Sequence, residues 1–257
     1  MQLVIPMSGL GNRFKRAGYA DPKPLIPVDG KPIIAHVLDM FPDRSDLKII
    51  FICNALHLRE TALREVLLGL APSATIVEVA SHEPKGPVYD IYMAREHIDD
   101  NDGVIVNYCD FFQVWNYADF VETVTRLRCD GAIPCYTGFH PHLLGPGFYA
   151  GCRVDHDMKL LEIREKHSFE TNKMDGYHSS GTYYFRSGAL MKKYFKEMLD
   201  TNVTVNSEYY VSMAYSLMLR DALFSLVYPV PFFCQWGTPE DLAEYQYWSR
   251  YFLNPRT

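Results

Sequence analysis

Short apolar runs alternate with amphipathic helical stretches through the first half of the chain, and that alternation leaves few possible folds. Residues 3–7, 48–53, 74–80 and 103–109 are strand-like, rich in Val and Ile and bounded by turn residues. Between them, residues 31–41, 56–70 and 88–96 place apolar side chains at helical spacing, as in Ile33, Ile34, Val37, Leu38 and Phe41. Strands joined by helices form βαβ units, so a largely parallel sheet is expected there. In the second half, residues 131–137, 151–154, 160–164, 182–185 and 224–228 read as strands. Residues 190–199 and 209–219 read as helices, and Thr238-Pro239-Glu240-Asp241 is a strong helix start. No repeat or linker divides the sequence. The expectation is one α/β domain over residues 1–257, a three-layer sandwich with a mixed, mostly parallel central sheet. Its halves meet near residue 130.

Composition excludes several classes. The 257 residues are 48% hydrophobic and 22% charged, enough for a core without metal or disulfide staples. Lys and Arg number 25 against 31 Asp and Glu, a net charge of −6. A duplex nucleic-acid partner or an anionic membrane surface calls for the opposite balance. No apolar stretch approaches the roughly 18 residues of a membrane span, and the first residues read as a strand rather than a leader. A cytoplasmic protein without membrane or nucleic-acid partners is expected. The six cysteines form no C-x-x-C pair and read as reduced, packed thiols.

The most informative segment is Gly9-Leu10-Gly11-Asn12-Arg13-Phe14, followed by Asp21-Pro22-Lys23-Pro24-Leu25. Two glycines after the first strand let backbone N–H groups approach an anion closely. Arg13 adds a planar fork for phosphate oxygens, and Lys23 adds a second cation. A dinucleotide fingerprint would need glycine where Phe14 stands, and a P-loop would need G-K-S/T. Weaker signals have plainer readings. Asp155-His156-Asp157 reads as a hairpin turn, His140-Pro141-His142 fits no structural zinc spacing, and Cys109 reads as a packing thiol. The run Tyr245, Tyr247, Trp248, Tyr251, Phe252 reads as a docking face for the last helix or an interface in a homo-oligomer.

In combination, G-L-G-N-R-F and P-K-P-L-I-P-V-D-G-K-P-I-I resemble the opening of the nucleoside-triphosphate transferases that make NDP-sugars. The resemblance continues through Glu83-Pro84-Lys85-Gly86-Pro87, Tyr108-Cys109-Asp110, Arg164-Glu165-Lys166, Gly181-Thr182-Tyr183-Tyr184-Phe185 and Gly237-Thr238-Pro239-Glu240-Asp241-Leu242. It implies a Rossmann-like, GT-A-like fold. It implies a first half that binds an NTP and a second half that binds a phosphorylated small molecule. The implied nucleotide site takes in Met7, Ser8, Gly9, Leu10, Gly11, Asn12, Glu83, Gly86 and Tyr108. Arg13 would neutralise the leaving pyrophosphate, and Lys23 would bridge the reacting phosphates. Gly86 would let the backbone lie against the base or sugar. Asp110, at the C-terminal end of a strand, would hold Mg²⁺. Glu165, Lys166 and Glu208 would face the acceptor, with Glu208 either selecting a hydroxyl or amine or serving as a first-turn helix acid.

One departure stands out. The family's usual second magnesium ligand is an aspartate two residues before G-T-P, and here that residue is Gln235. Either the metal leans on Asp110 and the phosphates, or another acid substitutes. The implied reaction joins CTP or UTP to a phosphorylated acceptor, a sugar phosphate before others, for surface-polysaccharide precursors. Three alternatives stand beside it: a cytidylyltransferase for a non-sugar phosphate, a glycosyltransferase of similar fold, and a nucleotide-binding regulator without turnover.

Overall fold

The computed structural model describes residues 1–257 except 43, 81–84, 146–148 and 254–257. In chain order the first strands are β1 (Gln2–Met7), β2 (Pro27–Val28), β3 (Lys31–Pro32), β4 (Lys48–Asn54), β5 (Thr75–Val79), β6 (Val104–Asn107) and β7 (Phe111–Val114). They are followed by β8 (Gly131–Tyr136), β9 (Gly151–Val154), β10 (Leu160–Arg164), β11 (Tyr177–Ser179), β12 (Thr182–Phe185), β13 (Ser225–Pro229) and β14 (Phe232–Gln235). The helices are α1 (Asn12–Arg16), α2 (Ile33–Asp39), α3 (Ala55–Glu60), α4 (Leu63–Leu70), α5 (Pro87–Met93), α6 (Tyr117–Arg126), α7 (Gly188–Asp200), α8 (Val211–Arg220) and α9 (Pro239–Leu253).

The main sheet runs β10-β9-β11-β8-β12-β6-β1-β4-β5, with β13 paired to β8. From β6 through β1 and β4 to β5 it is parallel. From β12 outward to β10 it is antiparallel, and β13 lies parallel to β8. The sheet is mixed, as expected, and it changes direction where the sequence changes character.

Both faces are covered. Leu3, Ile5 and Met7 pack into one core layer with Phe51 and helices α2, α4 and α6. Val4, Ile50 and Ile52 pack into the other with α5, α7 and α8. A strand buried on both faces needs a continuous apolar run, which is why these strands lack polar alternation.

The structure corrects three local readings. Asn12 already begins α1, so the glycine loop is shorter than the sequence suggested. Residues 56–70 are not one helix. Thr61 adopts extended dihedrals, and its hydroxyl donates to the His57 carbonyl and accepts from Leu63 N–H. That side chain competes with the helix ladder and splits it into α3 and α4. The ribbon of β7 and β14 and the helix α6 were not anticipated. The ribbon pairs Phe111 with Gln235, and Trp236 N–H donates to the Asp110 carbonyl at 2.8 Å. It carries the 236–241 segment back across the domain to the end of β6.

Among the described residues, no helix is long and apolar enough to cross a membrane. All six cysteines are unpaired.

Candidate active site

The loop after β1 is set by backbone geometry. Gly11 takes φ +65° as the residue before α1, a left-handed conformation that glycine adopts without strain. Asn54, ending β4, donates from Nδ2 to the Ser8 carbonyl at 2.8 Å and caps α3 through Leu56 N–H. Ser8 Oγ donates to Asp90 Oδ2 on α5. The loop is thus pinned from two sides, with Arg13 and Arg16 of α1 projecting along the cleft it opens.

Lys23 follows the extended Pro22 in a short 3₁₀ turn. Its ammonium lies 3.0 Å from Asp110 Oδ2 and 3.0 Å from the Gly237 carbonyl oxygen. It also sits 5.2 Å from the centre of the Phe14 ring. Asp110 and Lys23 are therefore partners of one another.

Gln235 makes different contacts from those a metal ligand would. Its Oε1 accepts from the Tyr149 hydroxyl, and its Nε2 donates to Asp241 Oδ1 at 2.6 Å. Asp241 Oδ2 accepts from Thr238 N–H and Oγ1, while Thr238 Oγ1 accepts from Asp241 N–H. This reciprocal cap starts α9. Burial holds the Asp241 carboxyl above its usual range. A Cβ on Gly237 would stand 3.5 Å from Asp110 Oδ2 and 4.0 Å from Asp241 Oδ2, so the missing side chain leaves a gap between two carboxylates. The described residues contain no cluster of three or more His, Cys, Asp or Glu suited to a metal. A cation here would need phosphate or water oxygens to complete its shell.

Glu165 and Lys166 follow β10. Lys166 is held at φ +55°, an uncommon conformation for a residue with a side chain. Its ammonium donates to the Tyr210 hydroxyl at 2.9 Å, and Tyr210 donates in turn to Glu208 Oε2. Glu165 accepts from Ser212 Oγ, and burial pushes its carboxyl up to about 7. The Tyr108 hydroxyl accepts from Val211 N–H, and its ring lies 5.7 Å from Tyr183.

Glu208 does not begin a helix. Val205 and Glu208 exchange both backbone hydrogen bonds, with Asn206 at φ +51° and Ser207 at φ +64° between them. That is a tight turn. The helix, α8, starts only at Val211, so the helix-dipole reading of Glu208 falls.

Gly86 takes φ +94°, and a Cβ there would meet Tyr209 N at 2.6 Å. Tyr209 N–H donates to the Lys85 carbonyl, and Val88 N–H donates to the Tyr209 carbonyl. The close approach that Gly86 permits is to the chain's own 205–210 segment. Glu83 lies outside the described residues.

These residues line one cleft with two lobes. The larger, about 440 Å³, is lined by Arg13, Arg16, Tyr149, Glu165, Lys166 and Asp241 among others. The smaller, about 230 Å³, is lined by Met7, Ser8, Gly86, Pro87 and Asp90. Gly9, Gly11, Lys23, Tyr108, Asp110, Glu208 and Tyr210 face both. Leu10 and Asn12 face the larger lobe. Sequence reading missed Asp90, Tyr149, Tyr210 and Asp241. Only Asp241 left a signal, as the acid three residues after the Thr238 cap.

Of the weaker motifs, Asp155-His156-Asp157 and His140-Pro141-His142 lie away from the cleft, whereas Cys109 lines its smaller lobe. Asp155 closes the β9–β10 hairpin by accepting from Asp157 and Lys159 N–H. His142 bonds the Tyr136 hydroxyl, and burial lowers its pKa to about 3. Burial raises the Cys109 thiol to about 12, so it is no nucleophile at neutral pH. A larger cavity of about 570 Å³ between β14 and α9 has a mainly apolar surface, with Phe232, Phe233, Tyr245, Trp248 and Phe252 in its lining and neither Arg nor Lys. Tyr245 docks α9 by donating to Asp29, whereas Tyr247, Trp248, Tyr251 and Phe252 are exposed.

Residues 3–169 match the family described as MobA-like NTP transferase domain. The UTP--glucose-1-phosphate uridylyltransferase of Escherichia coli strain K12 is 28% identical over 126 residues, covering 41% of this chain and 42% of that protein. The CMP-5'-(3-aminopropyl)phosphonate synthase of Streptomyces rubellomurinus is 32% identical over 101 residues, covering 38% of this chain and 16% of that protein. The chain thus spans less than half the length of these curated relatives. The solved nucleoside-diphosphate-sugar pyrophosphorylase from Vibrio cholerae RC9 shares the fold, with TM-score 0.79 at 19% identity over 95% of this chain and 99% of that one.

Proposed function

This chain belongs to the MobA-like NTP transferase domain family, and from that premise we propose that it is a nucleotidyltransferase. It joins the nucleoside monophosphate part of CTP or UTP to a phosphorylated acceptor, a sugar phosphate, and releases pyrophosphate. The resemblance of its motifs to NDP-sugar synthases supports surface-polysaccharide precursors as the product class.

The observation that carries this reading is the Lys23–Asp110 pair at the junction of the two lobes. A cation there reaches phosphates arriving from either side. The acceptor is a phosphomonoester with second pKa of about 6, so it is mostly dianionic at neutral pH and needs no general base. The protein's task is alignment and neutralisation of charge. The loop at Gly9 to Asn12 offers backbone donors to the triphosphate. Arg13 faces the leaving pyrophosphate. Lys23, turning from Asp110, holds the α-phosphate against the attacking oxygen. Lys166 and Glu165 hold the acceptor's phosphate and hydroxyl groups, with Glu208 and Tyr210 at the lobe boundary.

Mg²⁺ fits the donor set, with Asp110 as ligand and Asp241 across the gap over Gly237. Gln235 serves as a spacer that orients Asp241. Bound there, Mg²⁺ would neutralise charge on the triphosphate.

The test is incubation with CTP or UTP and a panel of sugar phosphates, with pyrophosphate and product followed. Pyrophosphate release that depends on one acceptor supports the proposal. Release of a nucleoside diphosphate from an NDP-sugar would make the protein a glycosyltransferase instead.

A further inference from the structure

Helix α9 has two faces that differ in what they touch. On one, Leu242 is buried, Tyr245 and Ser249 donate to the Asp29 carboxylate, and Gln246 donates to the Pro27 carbonyl. That face docks the helix on the domain. On the other, Tyr247, Trp248, Tyr251 and Phe252 recur at the four-residue spacing of a helix stripe. Their rings touch one another, with centres 5.3 Å apart for Tyr247 and Trp248 and 6.1 Å apart for Trp248 and Phe252. Yet these four side chains are 47–73% exposed. Exposed Leu253 and Phe232 extend the patch, and Phe232 of β14 joins Trp248, Phe252 and Leu253 in lining the cavity of about 570 Å³. We propose that this face is the interface of a two-fold dimer, covered by a second copy of the same chain.

An aromatic side chain carries about 200 Å² of surface, so these six residues together expose about 700 Å². A monomer rarely leaves an apolar patch larger than a few hundred Å². A standard interface buries about 800 Å² per partner, with an aromatic core inside a polar rim. The stripe and the cavity also lie on the same face. A ring of one copy that enters the cavity of the other is therefore matched by the reciprocal contact, and the pairing closes at two copies instead of propagating. The cavity shares Gln235 and Asp241 with the candidate active site, which places the interface beside it.

Charge argues against other occupants. Arg250 is the only cation of α9, against Glu240, Asp241 and Glu244, and the chain carries a net charge of −6. A helix lying on an anionic bilayer needs the reverse. Of the three carboxylates in the cavity wall, Asp29 and Asp241 are already hydrogen-bonded within the chain, which leaves Glu244 alone for a basic peptide.

Sedimentation equilibrium of the intact chain tests this. The wild type runs at twice the monomer mass, with a dissociation constant in the micromolar range or below. Trp248→Glu and Phe252→Glu each raise that constant by about 30-fold or more, the loss expected for an aromatic at the centre of an interface. Both side chains are exposed, and among the described residues the Phe252 ring stacks only on Trp248 and Tyr251, so neither substitution opens the core. Circular dichroism checks that both variants are folded. Leu161→Glu, at an exposed position on the edge strand β10, leaves the constant unchanged.

A wild type that is monomeric at about 100 µM overturns the proposal. Binding of that monomer to vesicles of phosphatidylcholine and phosphatidylserine would then assign the face to a lipid surface. A dimer that persists in both α9 variants, or that is lost in Leu161→Glu, overturns it as well, because the contact then lies elsewhere. The nucleotidyltransferase reading stands under every one of these outcomes.

Discussion

Lys23 and Asp110 form an ion pair at 3.0 Å at the point where the two lobes of the cleft meet. Both side chains are only partly exposed, so each is the other's main neutraliser until a charged substrate arrives. On the proposed function, a phosphate entering the cleft would compete with Asp110 for the ammonium, and a divalent cation would compete with Lys23 for the carboxylate.

Lys23→Ala and Arg13→Ala are each expected to lower turnover by about 10²-fold or more, the cost of one charge contact at the reacting phosphates. Steady-state rates of pyrophosphate release measure this. Rates near wild type in both variants would remove the phosphate-loop assignment.

Asp110→Asn is expected to abolish most of the magnesium-dependent activity, whereas Asp157→Asn is expected to leave it near wild type. Asp157 belongs to a surface hairpin whose geometry is set by the neighbouring Asp155. The comparison is a magnesium titration of rate. The reverse order would assign the metal to Asp155-His156-Asp157.

Two glycines offer a contrast. Gly86→Ala places a Cβ 2.6 Å from Tyr209 N at a positive φ. It is expected to destabilise the fold by at least about 1–3 kcal/mol from backbone strain alone. Gly9→Ala meets nothing within 4 Å and has no positive φ. It is expected to change stability by no more than about 0.5 kcal/mol while weakening NTP binding. Urea unfolding and nucleotide titration of both variants check the pair, and an unaltered NTP affinity in Gly9→Ala would count against the loop.

Glu165 sets a pH dependence. Burial raises its carboxyl from 4.5 to about 7, so between those values the folded state holds a proton that the unfolded state has lost. Stability from this group therefore falls as pH rises from about 4.5 to about 7, and the cost of burying the charge is fully present above that. Glu165→Gln removes the titration. Its melting temperature is expected to decline less than that of the wild type between pH 5 and pH 8. Parallel curves for the two proteins would place the raised pKa elsewhere.

Much of this was legible in the sequence because it depends on local rules. Gly11 announces a left-handed turn, Lys23 follows a proline that fixes its approach, and Asp110 ends an apolar run. The parallel strands were legible because burial on both faces leaves no polar alternation. What was not legible depends on contacts between distant segments. Asn206 and Ser207 look like helix caps, and nothing local shows that Val205 and Glu208 close a turn instead. Residues 111–114 and 232–235 are too short to declare themselves as strands, since each is ordered by the other. Tyr149 carries no sign that its hydroxyl reaches Gln235. Nothing local to Gly86 shows that Tyr209 packs against it.

The Lys23 ammonium and the Gly237 carbonyl that receives it stand 214 positions apart. Asp110 is braced by Trp236, which reaches it only after β14 has paired with β7. A chain emerging from the ribosome can complete β1, β4 and the glycine loop early, yet the contacts that gather Lys23, Asp110 and Gly237 form only once β14 and the residues after it are made. Fragments cut short of residue 236 therefore leave Asp110 and Lys23 without these braces.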